Sequence, residues 1–277
     1  MAKKKIGEPK EDMSFLDHVE ELRWHLVRSS AAIFLFGIIA FLIKDFIFSK
    51  IIFAPKDPNF ITYRTFCAVS RFFGTDGLCI DKIPFTLQSL EMGEQFSVHI
   101  WISITVGFII AFPFIIWEFW KFISPGLYEK ERKGAVAFII VSSFLFFVGI
   151  MFGYYVVTPL SINFLGNYSV SDLVERNIKI GSYIALLRSS VLASGLIFEL
   201  PIVMYFLTKM GLITPDFLKT YRKHALVLVL ILSAVITPPD IVSQIIVAVP
   251  ILLLYEVSIF ISKVVLKNER KKELKNG

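Results

Sequence analysis

Apolar residues in this chain gather into long uncharged runs, not into the short periodic stripes of a water-facing fold, and six such runs stand out. They lie at Ser29–Ile43, Phe96–Trp117, Gly134 to a break at Pro159, Arg188–Lys209, His224–Ile236 and Ile241–Tyr255. A helix needs about 20 apolar residues to cross a hydrocarbon core, so each run predicts a membrane span. Thr237-Pro238-Pro239-Asp240 separates the last two runs and predicts a hairpin turn, because proline ends one helix and suits the first turn of the next. At 1.5 Å per residue these two spans reach only about 20 Å, short of a core of about 30 Å. Either the bilayer thins beside them, or Tyr221, Lys223 and Tyr255 reach outward to the interface.

Ahead of the first run, Ser14 and Asp17 fit a helix-capping box, and Phe15, Val19, Leu22 and Leu26 recur at helical spacing. The pattern predicts a single membrane domain. Its parts are a flexible basic N-terminus (1–13), an amphipathic helix with the first span (14–47), an outward loop (48–95), the second span (96–120), an inward loop (121–133) and the third span (134–158). A second outward loop (159–187), the fourth span (188–208), an inward loop (209–223), the fifth span (224–237), the sixth span (241–262) and a tail (263–277) follow. The expected fold class is an all-α polytopic membrane protein. Pro55, Pro125, Pro159, Pro201, Pro238 and Pro239, with Asp240, are expected to be structural.

Charge sets the orientation. Of the 29 Lys and Arg residues, 20 fall on the N-terminus, two inward loops and tail, and 9 on the other side. Short cytoplasmic loops retain positive charge, so both termini are expected in the cytoplasm. The pI near 9.2 then reflects topology and attraction to anionic lipid, with no need of nucleic acid. With 55% hydrophobic and 19% charged residues, a soluble globular domain and a disordered chain are both excluded. The late first apolar run, with no clear small-residue cleavage site after it, is not a cleavable signal. Two cysteines, Cys67 and Cys79, both fall in the first outward loop. In an oxidising compartment they can pair, closing a loop worth about 3 kcal/mol; two free thiols is the alternative.

Candidate chemistry is sparse. No zinc, serine-nucleophile or nucleotide motif occurs, and His18, His25, His99 and His224 are scattered, so neither an enzyme nor a metal or cofactor site is expected. The N-terminal helix carries His18, Glu21 and His25 on one stripe, which suits a solvated face or a carboxylate held at the membrane surface for a cationic partner. The first inward loop turns at Pro125-Gly126 and holds Glu131 among mixed charge, within reach of whatever docks there. Glu199 stands near the middle of the fourth span, where an ionisable group is expensive and usually functional. Pro201 removes the backbone bond to Ile197 and is expected to kink the helix. Gln244 is a neutral residue that could partner Glu199 across helices.

Five pieces in order carry a resemblance: His18-Val-Glu-Glu-Leu-Arg23, Phe122-Ile-Ser-Pro-Gly-Leu-Tyr-Glu-Lys-Glu-Arg132, Val157-Thr-Pro-Leu160, Phe198-Glu-Leu-Pro201, and Thr237-Pro-Pro-Asp240 with Gln244. Together, from about Ser14 to Ser262, the chain resembles the TatC family of the twin-arginine protein translocase. The resemblance implies six helices in a concave, glove-like arrangement in the bacterial inner membrane, and a role in exporting folded proteins on the proton gradient. It implies a signal-peptide site of Glu21, Glu131, Phe122, His18, Arg23 and Arg132. Glu199 and Gln244 would face single-span subunits of the TatA and TatB type, and copies of the chain would associate. Two departures stand out: Trp24-His25 where the family commonly has a further arginine, and a poorly matching outward loop from Lys56 to Pro84. A proton-coupled transporter built on Glu199 is the rival reading, weakened by the lack of matching halves.

Overall fold

The computed structural model describes residues 15–72, 74, 79, 83–124, 135–171, 177–238 and 240–276. The amphipathic segment and the first span form one unbroken helix, α1 (Phe15–Leu42). Its chain then runs through irregular helical turns over 44–56 into α2 (Ile61–Phe72). Beyond strand β1 (Thr86–Gln88) the second long helix, α3 (Glu94–Ile123), packs along α1. The third comprises α4 (Ala135–Phe152), a wide π-helical turn (Gly153–Val157) and α5 (Thr158–Asn167). Strand β2 (Asn177–Lys179) leads into α6 (Ile180–Phe198) and α7 (Leu200–Lys209). A short α8 (Pro215–Thr220), α9 (Arg222–Ile236) and α10 (Ile241–Asn276) complete the chain.

Five of these helical stretches are long and apolar enough to cross a membrane. The fifth predicted span, α9, has 15 residues and reaches only about 22 Å. Three expected boundaries are corrected. The third span does not break at Pro159, because a proline in the first turn of α5 has no intrahelical N–H to lose, and Thr158 Oγ1 donates to the Gly153 carbonyl at 2.8 Å. The fourth helix begins at Ile180 instead of Arg188. Arg188 is tolerated inside it because its guanidinium stacks over Trp101, 4.8 Å from the ring centroid. The sixth helix runs on to Asn276 instead of ending near 262, since the charged tail 263–276 continues in good helix formers. The outward loops are also not purely helical or irregular: Thr86–Gln88 pairs in parallel with Asn177–Lys179.

The first outward loop is tied down from within. Wide turns over Ile47–Ile52 shift the backbone bonding pattern, and buried carbonyls need partners. Tyrosine hydroxyls supply them: Tyr154 donates to Ile51 O at 2.7 Å, Tyr183 to Ile52 O at 2.8 Å and Tyr63 to Pro55 O at 2.8 Å. Pro55 and Pro159 are fully buried here. Ile47, Ile52, Phe85, Val98, Ile162 and Tyr183 form the core of this end, and Cys67 is joined to Cys79 in a disulfide.

At the hairpin between α9 and α10, Asp240 caps α10, accepting from Ser243 N at 2.8 Å and Ser243 Oγ at 2.6 Å. Pro238 is buried in the turn and Pro239 lies outside the described residues. The Ser243 hydroxyl, with the backbone N–H groups beside it, holds the Asp240 carboxyl below the ordinary carboxylate range. A depressed folded value means that the cap contributes fully above the unfolded carboxylate range and is lost as pH falls through the folded one. Asp240→Ala is therefore expected to cost about 1 kcal/mol at neutral pH. The difference from wild type should vanish in melts recorded in acid; a difference that persists there would remove the capping role.

Candidate functional site

The inward ends of α1 and α3 meet in a cluster built around one buried carboxylate. Glu118, 2% exposed on α3, accepts from His25 Nδ1 at 2.7 Å, Lys121 Nζ at 2.8 Å and, at the limit of contact, Arg28 Nη1 at 3.5 Å. His25 is itself buried at 8% exposure, and its ring meets Phe122 edge-on with centroids 6.0 Å apart. Lys121 also lies over Trp117, 3.9 Å from the ring centroid. A carboxylate that already accepts from three nitrogen donors has most of its acceptor sites filled.

Glu21 is in the opposite condition. One helical turn before His25 on α1, it is half-buried, and its Oε2 is shielded from solvent with no hydrogen-bond partner among the described residues. A shielded carboxylate oxygen without a donor costs a few kcal/mol if left so. Arg23 does not reach it, pairing with Glu20 at 2.9 Å on the exposed side. Of the other residues expected here, Phe122 is present beside His25. The side chain of His18 and the residues Pro125, Glu131 and Arg132 lie outside the described residues.

The second candidate lies deeper. Glu199 occupies the junction where α6 ends and α7 begins, with Pro201 in the first turn of α7, so the expected interruption is present. Because the helix starts at Ile180, Glu199 is not central: it stands ten residues from the inward end at Lys209 and nineteen from the outward end. Its Oε2 accepts from Ser142 Oγ on α4 at 2.7 Å, while Oε1 is buried without a partner. Gln244 is not that partner, because its amide donates to the Leu230 carbonyl at 3.0 Å and so ties α10 to α9. An apolar cavity of about 320 Å³ begins at Pro201, bounded by Trp120, Phe138, Val141, Ile202 and Tyr205.

Glu118, the centre of the cluster, is the residue that pattern reading passed over. It sits one residue past the run that ends at Trp117, where a carboxylate reads as the first solvated position. The available signal was spacing, since Glu118 and Lys121 are three apart on a helix and form a pair.

The chain matches the family described as TatC, Sec-independent protein translocase protein, over residues 17–250. It is 40% identical over 262 residues to a Sec-independent protein translocase protein TatC of Blattabacterium sp. subsp. Periplaneta americana, covering 94% of this chain and 98% of that one. It is 34% identical over 266 residues to the TatC protein of Aquifex aeolicus, covering 96% of this chain and all (100%) of the relative. A crystal structure titled as the twin arginine translocase receptor TatC superposes with a TM-score of 0.65 at 33% identity, covering 90% of this chain and 99% of that chain.

Proposed function

Because this chain belongs to the TatC family of Sec-independent protein translocase components, we propose that the surface around Glu21 receives the paired arginines of an export signal peptide. The chain is a multi-pass protein of the bacterial inner membrane, read with six spans and both termini in the cytoplasm. One observation carries the site: among the described residues the Glu21 carboxylate has a shielded oxygen without a donor, while the neighbouring donors His25, Arg28 and Lys121 all lie on Glu118. The missing donor then comes from outside. Arginine suits it, being permanently charged and able to present two parallel N–H groups to one carboxylate. Two arginines call for two carboxylates, and Glu131 in the adjoining loop is the second. Phe122 would pack beside the bound peptide, with His18, Arg23 and Arg132 around the pair.

The work proposed for the site is recognition, with the family's energy source, the transmembrane proton gradient, driving transport. Glu199, two residues before the Pro201 that lines an apolar cavity, would meet an inserted signal peptide or single-span subunits of the TatA and TatB type. The site is tested by photo-crosslinking a twin-arginine signal peptide, with a Lys-Lys control, to probes beside Glu21 and Glu131 in membranes. Crosslinks should require Arg-Arg and fall at least tenfold, the factor that one lost charge-assisted bond supplies, when both glutamates become alanine. Yields indifferent to both changes would reduce the two carboxylates to a solvated face.

A further inference from the structure

A second polar site lies at the opposite end of the same helices. A cavity of about 290 Å³ opens between the outward ends of α3 and α6, lined by Glu91, Glu94, Ser97, Trp101, Gly181 and Arg188 among others. Its polar groups are layered by depth. Glu91 and Glu94 stand at the start of α3, whereas Trp101 and Arg188 lie seven and eight residues into their helices, about 10–12 Å farther in.

Arg188 is the group that needs explaining. Among the described residues its one ring or polar interaction is with Trp101, whose centroid lies 4.8 Å from the guanidinium carbon, and it has no ion pair or hydrogen bond. A cation at this depth costs a few kcal/mol unless it meets a counter-charge or water. A ring contact on one face of the guanidinium leaves its in-plane N–H groups available, and Arg188 lines the cavity. The two carboxylates do not neutralise it. Glu94 accepts from Leu90 N at 3.0 Å and Gly181 N at 3.0 Å, and Glu91 pairs with Lys179 at 3.4 Å. Inward of Arg188 the surface is apolar and open to the side: Trp101 is 53% exposed and Ile104 37%.

We propose that this cavity binds the headgroup of a zwitterionic phospholipid with a primary amine, its phosphate on Arg188 and its ammonium toward Glu91 and Glu94. The order of charge matches such a lipid, in which the phosphate adjoins the glycerol and the amine lies farther out. Trp101 takes the interfacial position that tryptophan favours, and an acyl chain follows the exposed side of α3 past Ile104. An acidic peptide or a free phosphate would have to pass two carboxylates with no positive group to offer them. The site depends on the membrane orientation and not on the signal-peptide reading.

The test uses the full-length protein, delipidated in detergent, with lipid occupancy read by native mass spectrometry. Phosphatidylethanolamine should bind in preference to phosphatidylglycerol. Arg188→Gln should lower its occupancy about tenfold, as expected for one charge-assisted contact, Arg188→Lys should keep part of it, and Glu91→Gln should narrow the preference between the lipids. Undiminished binding in Arg188→Gln overturns the site, and equal binding of phosphatidylglycerol to the wild type overturns the zwitterion assignment. Uptake of inorganic phosphate without lipid would mark a free-anion site instead. A photo-crosslinker at Ser97 that captures protein and no lipid in membranes would also sink the proposal. Should Arg188→Gln fail to fold, Arg188→Lys and Glu91→Gln read the same preference.

Discussion

Glu118→Ala is expected to lower stability by about 2–3 kcal/mol and to weaken Arg-dependent signal-peptide crosslinking at Glu21, although residue 118 need not touch the peptide. The three donors around Glu118 fare differently when it is lost. Arg28 and Lys121 have side chains 55% and 41% exposed and can return to water, but the His25 side chain is 10% exposed and cannot. Its Nδ1–H would be left buried without an acceptor, which is the costly half of breaking a buried pair. The same bond joins α1, which carries Glu21, to α3, which carries Phe122, so its loss loosens both halves of the proposed receptor surface. Glu118→Gln keeps an acceptor for Nδ1–H and is expected to recover most of the stability. Melting of the purified protein in detergent, with crosslinking yield measured in parallel, checks both parts. An alanine variant that melts with the wild type would show that the cluster does not hold the two helices together.

The spans were legible because a hydrocarbon solvent leaves little choice: backbone groups must be satisfied within the helix, so apolar run length translates into element. Errors arose where one residue type carried two meanings. Arg188 reads as the end of a span, since charge usually marks water, yet a single stacked tryptophan keeps it inside the helix. Pro159 reads as a stop, but after a wide turn it occupies a first-turn position where its missing N–H costs nothing. Taking Arg188 as a span end set Glu199 near the middle of a shorter run, whereas the helix reaches back to Ile180, nineteen residues before it, and on to Lys209, ten after it.

The candidate site was legible only in part. Glu21 and Glu199 stand out by composition, one on an amphipathic face and the other in an apolar run. Their unsatisfied oxygens and the Ser142 bond depend on which helices meet, which no local pattern encodes. Gln244 shows the same limit, because a polar residue in a span must bond to something, and the sequence does not say that this is the Leu230 carbonyl. The irregular outward turns were invisible because their carbonyls are satisfied by tyrosine hydroxyls, Tyr63 from eight residues on and Tyr154 and Tyr183 from distant parts of the chain.

The contact between α1 and α3 rests on two glycines with unequal tolerance, and that inequality gives the second large effect. A Cβ on Gly107 would lie 2.6 Å from both Gly37 N and Ile33 O, which are backbone atoms that cannot move aside without displacing α1. A Cβ on Gly37 would meet Ser103 O at 3.5 Å, an ordinary van der Waals contact. In a membrane, helix association depends on this kind of close backbone approach, since lipid tails are as apolar as the helix surfaces. Gly107→Ala is therefore expected to cost about 3 kcal/mol, the upper end of overpacking penalties. Gly37→Ala should be near neutral, because the better helix propensity of alanine offsets any small crowding. Separating α1 from α3 also strains the bond between His25 and Glu118, so Gly107→Ala should lose signal-peptide crosslinking along with stability. Melting temperatures of the two alanine variants in one detergent decide the matter. Equal shifts would mean that the helices slide past the added methyl group, and that their register is set at the Glu118 cluster and not by the glycine contact.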